Sequence, residues 1–212
     1  MEKQNNYEIM KHKMQTEFAS HDLDAVQKEW ELESDGEALA LTFLGRPYRI
    51  DRRSGAVLWD LNGCVREADY NVSMTLFDIL TRPRQQASGE MAPISALSTV
   101  HSATVPAGSF FDRTAKRFEH RCEALKAACE RLGGIPCGRG DVSYLLPVFR
   151  DLLVAVRFWD ADEEFGPELS FLCDGNILRF MHFETVMFLL CHVAERLTEP
   201  AGGAEQGRQD EH

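Results

Sequence analysis

The sequence predicts an α+β fold in which antiparallel strands, arranged as a meander and a hairpin, are covered by two or more helices. Stretches of apolar and β-branched residues of strand length alternate with turn residues in two separate parts of the chain. Segments with helical apolar spacing lie before, between and after these stretches. Apolar residues make up 44% of the 212 residues, which is enough for one sizeable core.

The N-terminal part predicts helices followed by strands. Residues 8–30 have the pattern of one or two amphipathic surface helices, with residues 20–23 as a cap that restarts the second. Residues 38–44 then predict a strand that ends in a turn at Gly45. With a second turn at residues 53–55, we expect a meander of two or three antiparallel strands that ends near Trp59.

The middle of the chain predicts two helices separated by an irregular segment. Residues 70–80 carry apolar side chains close to helical spacing. Residues 84–109 are rich in Ser, Ala, Pro and Gly, which predicts loop with a short element near residues 94–97. Residues 112–132 predict one continuous helix that Gly133-Gly134 ends.

The last third predicts a hairpin and a buried helix. Strand-like stretches within residues 144–159 lead into the acidic run 160–164, which turns the chain into a further strand at residues 168–173. Residues 178–197 are apolar on nearly all sides, as expected of a buried helix. We expect the Gly- and Gln-rich tail, residues 198–212, to be disordered.

These elements predict one main domain. Residues 37–197 are expected to form a single α+β domain, preceded by a helical segment over residues 1–36. Within the domain, the meander and the hairpin are expected to share one antiparallel sheet. The helices that begin at Asp112 and Leu178 would cover it.

Charge and cysteine usage limit the classes of partner. The formal net charge of −11 argues against nucleic acid and favours a cationic ligand, a metal ion or a basic protein partner. No apolar run resembles a signal peptide or is long enough to span a bilayer, so we expect a soluble cytoplasmic protein without a membrane partner. The six cysteines include no Cys-x-x-Cys pair and are expected to be reduced thiols.

Several short motifs resemble one known family. They are Phe43-Leu44-Gly45-Arg46-Pro47-Tyr48, Leu132-Gly133-Gly134, Gly140-Asp141-Val142-Ser143, the run from Phe158 to Phe165, Leu172-Cys173-Asp174 and His182-Phe183-Glu184. From roughly Phe43 to Leu197 the chain resembles the prokaryotic family known as domain of unknown function 3786. The resemblance implies no activity, because that family has none assigned.

The domains and organisms in which the family occurs imply a general biological role. Some longer members resemble fusions to an iron–sulfur-binding domain like that of corrinoid proteins, and many members come from anaerobes. The resemblance therefore implies a link to metal or cofactor metabolism. This chain has no separate cysteine-rich module, so a redox role is not carried over to it.

The acidic turn is the first candidate site. Asp160, Asp162, Glu163 and Glu164 could supply oxygen ligands to a hard cation. They lack the residue order of a calcium-binding loop, however. The alternative is a solvated hairpin turn in which one carboxylate caps backbone N–H groups.

The start of the last helix is the second candidate site. His182 and Glu184 are two residues apart, about 200° around a helix axis, so within a helix they could not share one ion. If the helix begins later, Asp174, His182 and Glu184 could converge with the acidic turn. Further along, Cys191 and His192 diverge by about 100°, and we interpret Cys191 as a core cysteine rather than half of a thiolate–imidazole pair.

Two functional hypotheses follow. The first is a non-catalytic binding or accessory module, linked to metal or cofactor metabolism in anaerobes, that binds a protein partner or a small ligand. The alternative is a metal-dependent enzyme that uses the six candidate ligands Asp162, Glu163, Glu164, Asp174, His182 and Glu184. The sequence leaves the cofactor and the oligomeric state unknown.

Overall fold

A computed structural model of the chain describes residues 6–97 and 107–200, with side chains from residue 111 onward in the second range. Within these ranges the α+β class is confirmed. The helices are α1 (Asn6–Ala19), α2 (Leu23–Trp30), α3 (Tyr70–Leu80), α4 (Ile94–Leu97), α5 (Ala107–Phe118), α6 (Cys122–Arg131) and α7 (Phe183–Thr198). The strands are β1 (Glu33–Ser34), β2 (Ala38–Phe43), β3 (Arg46–Asp51), β4 (Val57–Leu61), β5 (Cys64–Glu67), β6 (Met91–Pro93), β7 (Ile135–Pro136), β8 (Val142–Phe149), β9 (Leu152–Trp159) and β10 (Glu168–Asp174).

The first sheet is an antiparallel meander with the strand order β1-β2-β3-β4-β5, which is two strands more than the largest number expected. Two of its turns are two-residue loops in which both residues have positive φ, as tight hairpins require. They are Leu44-Gly45 between β2 and β3 and Asn62-Gly63 between β4 and β5. The second turn returns the chain as β5, which the sequence analysis had not predicted.

The second sheet contains the predicted hairpin and has the order β6-β10-β9-β8-β7. The strands therefore form two sheets, and the expectation of one shared sheet is wrong. The sheets touch where the turn after β2 meets β8, since the Leu44 N–H donates to the Val148 carbonyl at 2.9 Å. On one face of the second sheet, Tyr144, Val156 and Phe171 are buried in the core.

The predicted helix over residues 112–132 is interrupted. α5 ends at Phe118 and α6 begins at Cys122, because His120 has a φ of 55° that a helix cannot contain. The Arg121 N–H then bonds back to the Phe118 carbonyl at 2.8 Å, which forms a tight turn. The carboxylate of Asp160 accepts the His120 N–H at 2.8 Å and holds this corner in place.

The last helix begins later than expected. Residues 177–179 form a short 3₁₀ turn, and α7 starts at Phe183 instead of residue 178. A carboxylate from α3 supports this start, since Asp78 accepts the His182 backbone N–H at 2.7 Å. α3 itself spans the predicted residues 70–80. The loop prediction for residues 98–106 and the tail prediction for residues 201–212 fall outside the described residues.

One core joins these elements. Phe18 of α1 and Trp30 of α2 are buried in the same apolar cluster as both sheets and α7. The Trp30 indole N–H also donates to the Leu80 carbonyl at 3.2 Å. The N-terminal helices thus pack on the predicted main domain, whose boundary at residue 36 stays a prediction. In the described parts of the chain, no helix is long and apolar enough to cross a membrane.

Candidate functional site

The acidic turn is organised by its own backbone. Asp162 accepts the N–H groups of Glu164 at 2.8 Å and Phe165 at 2.7 Å, and these hydrogen bonds lower the pKa of its carboxyl. Glu163 and Glu164 are exposed. Asp160 accepts the N–H groups of His120 and Ala161. The geometry of Asp162 is that of a carboxylate capping a turn.

Asp174 is the last residue of β10, whereas the acidic turn lies before the first residue of that strand. A seven-residue strand is about 20 Å long, so Asp174 and the acidic turn cannot share one ion. Asp174 is fully buried and accepts the N–H groups of Ser88, Gly89 and Asn176 together with the Ser88 hydroxyl. Burial opposes its ionisation, but the hydrogen bonds outweigh burial and lower the pKa of the carboxyl. Asp174 therefore fastens the chain before β6 to the end of β10.

His182 and Glu184 stand at the start of α7 with different surroundings. His182 is exposed, and its Nδ1 lies 2.9 Å from Asp78 and 2.8 Å from the Arg82 guanidinium. Glu184 is exposed in the first turn of α7, where a carboxylate is favoured by the helix dipole. These two residues and Asp174 each have separate surroundings, and the structure does not bring the six predicted residues together.

A different set of ligand-type side chains meets where α3 crosses α7. The ligand atoms of Asp69, His192 and Glu195 all lie within 4.8 Å of one another, and they form the one such group found among the described residues. Asp69 immediately precedes α3, whereas Asp78 near the end of α3 contacts the start of α7. The two helices therefore run antiparallel, which places Asp69 beside the second half of α7.

Local structure fixes each of the three side chains. Asp69 is the N-cap of α3, and its Oδ1 accepts the Val72 N–H at 3.0 Å, which leaves Oδ2 for a ligand. His192 and Glu195 are three residues apart on α7 and so lie on one face of that helix. The Phe43 ring stacks on the His192 ring at 5.7 Å between centroids and 9° between planes, and thereby orients the imidazole.

The His192 ring is buried without hydrogen-bond partners. Only 3% of the residue is exposed, and among the residues that the structure covers neither Nδ1 nor Nε2 has a partner. The nearest carboxylate oxygen, on Glu195, is 3.8 Å from Nδ1, which is beyond hydrogen-bond range. Leaving a buried polar group unsatisfied typically costs about 1–3 kcal/mol, so a partner for this ring would stabilise the fold.

A second unsatisfied group lies on the same helix as Asp69. Ser73 follows Asp69 by one turn on the same face of α3 and is fully buried. Its hydroxyl likewise has no hydrogen-bond partner in the described part of the chain. Buried polar groups in folded proteins are nearly always satisfied. α3 and α7 thus each contribute one unsatisfied buried polar side chain.

The three side chains have the donor types of a divalent metal site. Imidazole nitrogen and carboxylate oxygen together suit zinc, cobalt, iron and manganese, whereas calcium and magnesium prefer ligand sets made of oxygen alone. Ligands about 2.1 Å from a tetrahedral ion lie about 3.4 Å from one another. The ligand atoms of the three residues lie within 4.8 Å of one another, so they would have to approach the ion more closely than they now approach each other. Two carboxylates would also balance the charge of the ion.

Arginine contacts hold the end of α7 against the first sheet. Arg46 in β3 and Arg196 in α7 pair with the same carboxylate, Glu199, at 2.8 Å and 3.0 Å. Arg196 also donates to the Leu44 carbonyl at 2.9 Å. Because Arg196 is one residue after Glu195, these bonds also fix the position of the candidate ligands.

An open groove of about 570 Å³ lies between the first sheet and the turn after β8. Three of its charged lining side chains already have partners. Arg49 pairs with Asp35, Glu31 pairs with Arg84, and Arg150 donates to the Glu31 carbonyl. At the crossing of α3 and α7, by contrast, the unpartnered ring of His192 belongs to a group of ligand-type side chains, and we therefore take this crossing as the candidate site.

The sequence analysis did not find this site, and only part of it had a local signal. A histidine and a glutamate three residues apart in a largely apolar helix could have marked His192 and Glu195 as a pair. Asp69 had no such signal, because it meets them only through the packing of α3 on α7. His192 had been considered only in relation to its neighbour Cys191.

A comparison with family models finds a match over most of the chain. A model described as Domain of unknown function (DUF3786) matches residues 22–196, which include Asp69, His192 and Glu195. The resemblance is thereby confirmed, and the matched region begins at residue 22 rather than Phe43. Comparisons with curated proteins and with solved structures find no match.

Proposed function

The chain belongs to this family of unknown function, and we propose that it is a non-catalytic accessory module that binds a divalent metal ion through Asp69, His192 and Glu195. The observation that carries the proposal is the buried His192 ring, whose two nitrogens lack partners although two carboxylates are nearby. A bound ion would give one of these buried nitrogens a partner. The proposal includes a reducing, cytoplasmic setting.

A metal-dependent enzyme is the alternative, and one observation favours it. Three protein ligands leave a coordination position for water, as in catalytic zinc sites, whereas structural sites are closed by a fourth protein ligand. The two functions thus differ in the identity of the fourth ligand. Both require the ion at the same place, so metal binding is tested first.

The test is thermal unfolding of EDTA-treated protein with zinc, cobalt, manganese, magnesium or calcium. A ligand that binds only the folded state adds about 2.7 kcal/mol at a concentration of one hundred times Kd, so zinc and cobalt should raise the melting temperature. The increase should vanish in His192→Ala and shrink in Glu195→Gln, which preserves side-chain volume. His182→Ala is the matched control and should keep the increase.

The structural alternative is a direct ion pair between His192 and Glu195, which are 3.8 Å apart. On that interpretation, His192→Ala lowers stability in the absence of metal and no ion changes the melting temperature of the wild type. A zinc-induced increase that survives in His192→Ala but disappears in His182→Ala would contradict the proposed site and favour the start of α7.

A further inference from the structure

The second sheet has one face that points away from the core. Paired residues on neighbouring strands lie on the same face of a sheet, so the register of the strands defines rows of side chains. One apolar row crosses all five strands, and its members are Ile135, Leu145, Ala155, Leu172 and Pro93. Along β8, β9 and β10 this row alternates with Tyr144, Val156 and Phe171, which are buried in the core. We call the face that carries the apolar row the outer face.

The outer face lies outside the core. No member of the apolar row belongs to the cluster of core side chains among the described residues. On the opposite face, Phe111 of α5 contacts Phe171 edge to face. On that same opposite face, Glu130 of α6 accepts the Tyr144 hydroxyl at 2.9 Å. These two helices therefore pack on the core side of the sheet and leave the outer face free.

The strands have the sequence pattern of a sheet that is covered on both faces. In a sheet with one face in water, polar side chains normally alternate with the buried apolar ones. β9 instead begins with five consecutive apolar residues, Leu152 to Val156. On the outer face, Leu145 is half-buried, Trp159 is 38% exposed and Ile135 is 67% exposed. A continuous apolar surface of this kind marks a site of protein–protein contact.

Two charged side chains on the outer face lack a partner among the described residues. Arg157 pairs in register with Ser143 and Ser170, next to the apolar row, and Glu168 pairs with Trp159. Neither charged group forms an ion pair or a side-chain hydrogen bond within the ranges that the structure describes. Arg157 and Glu168 are diagonal neighbours on adjacent strands, yet they do not pair with each other. A positive and a negative group thus remain available beside the apolar row.

We propose that the outer face binds the outer face of a second copy of this chain and forms a twofold symmetric dimer. A twofold axis exchanges the two surfaces, so residue i of one copy meets residue j of the other and the reverse. An axis midway between Arg157 and Glu168 places each arginine opposite the glutamate of the other copy. The outer face is therefore complementary in charge to itself, and the two apolar rows bury each other. Any other partner would have to supply apolar side chains, an anion and a cation in this same arrangement.

The size of the outer face suits a reversible dimer. Strands lie about 4.8 Å apart and rise about 3.3 Å per residue, so five strands of up to eight residues span at most roughly 24 by 26 Å. Two such faces bury up to about 1,200 Å², which is at the lower end of the range for specific interfaces. Asp69, His192 and Glu195 lie outside this sheet, so the dimer and the proposed metal site can fail separately.

The test is sedimentation velocity of the full, reduced chain over a wide range of concentration. Wild type should convert from monomer to dimer as the concentration rises, both with and without EDTA. Ile135→Glu should weaken dimerisation at least about tenfold, because a carboxylate would be buried in the apolar row. Val65→Glu is the matched control and should behave as wild type, since Val65 is also 67% exposed on a short strand but belongs to the first sheet.

An exchange of charges tests the pairing across the interface. Arg157→Glu and Glu168→Arg should each weaken dimerisation at least about tenfold, because like charges would then face each other. The double variant restores opposite charges and should dimerise within about threefold of wild type. Ile135 and Glu168 are exposed, so their variants should fold, which circular dichroism checks.

The contrary outcomes are distinct. Wild type that stays monomeric at every concentration would overturn the proposal. A dimer that Ile135→Glu leaves intact would show that another surface is used. Losses in the single charge variants that the double variant does not recover would overturn the pairing of Arg157 with Glu168. Assemblies larger than a dimer would contradict the twofold symmetry.

Discussion

Carboxylates in this chain differ in how many of their oxygens already accept hydrogen bonds from the backbone. Asp162 and Asp174 accept several backbone N–H groups, so their oxygens serve a turn and a loop. Asp69 uses Oδ1 to cap α3, and a carboxylate oxygen of Asp69 lies within 4.8 Å of a ligand atom of His192. At the scale of single residues, the available oxygen of Asp69 separates a ligand candidate from structural acids that look alike in sequence.

Asp174→Asn is expected to lower the free energy of unfolding by about 3 kcal/mol, because an amide nitrogen at this buried position would face donors and the N–H groups of Ser88 and Gly89 would lose an acceptor. Urea unfolding at pH 7 measures the loss. Asp162→Asn is the control, and its exposed turn should show a much smaller effect. Equal losses in the two variants would contradict a structural role for Asp174.

The lowered pKa of Asp174 predicts that the free energy of unfolding depends on pH. The pKa of Asp174 is lower in the folded state than the unfolded value of about 3.9, so its carboxylate stabilises the protein above that pH. This stabilisation is lost as the pH falls through the folded pKa. The difference between wild type and Asp174→Asn should therefore stay constant from pH 7 to about 5 and shrink below about 4.

At the scale of elements, sequence patterns predict those helices and strands whose bounds depend on residues close together in the chain. α3 matched its prediction because apolar spacing defines its span and Asp69 caps its start. The break between α5 and α6 was missed because it depends on Asp160, which lies 40 residues further along the chain and meets His120 only in the folded structure. β5 was missed although Asn62-Gly63 is a strong hairpin signal, so this omission was avoidable.

The break between α5 and α6 gives an element-scale prediction. His120 has positive φ and is exposed, so His120→Gly relieves backbone strain and keeps the N–H that Asp160 accepts. Stability should stay the same or rise by at most about 1 kcal/mol. His120→Val should lower it by about 1–2 kcal/mol, because a β-branched residue disfavours this conformation. The urea unfolding midpoints of both variants are measured. A midpoint that is higher for His120→Val than for His120→Gly would contradict the requirement for positive φ at His120.

At the scale of the whole molecule, the candidate site lies where α3 packs on α7, outside the second sheet. An ion at Asp69, His192 and Glu195 would join the start of α3 to the second half of α7, which Arg196 holds to the turn after β2. β9 and β10 contribute none of these ligands. Sequence patterns could predict α3 and α7 but not that Asp69 lies beside His192 and Glu195, because this depends on how the two helices pack together.

Zinc is therefore expected to slow amide hydrogen exchange unevenly. Openings that separate α3 from α7 would release the ion, so zinc suppresses them, whereas local openings of β9 and β10 leave the site intact and keep their rates. Hydrogen exchange with mass spectrometry, on EDTA-treated protein with and without zinc, should show slowing in residues 70–80 and 186–197 and none in residues 152–174. The His192→Ala variant should show no zinc effect in either region. Slowing spread evenly over both sheets, or slowing that persists in that variant, would place the ion elsewhere in the molecule.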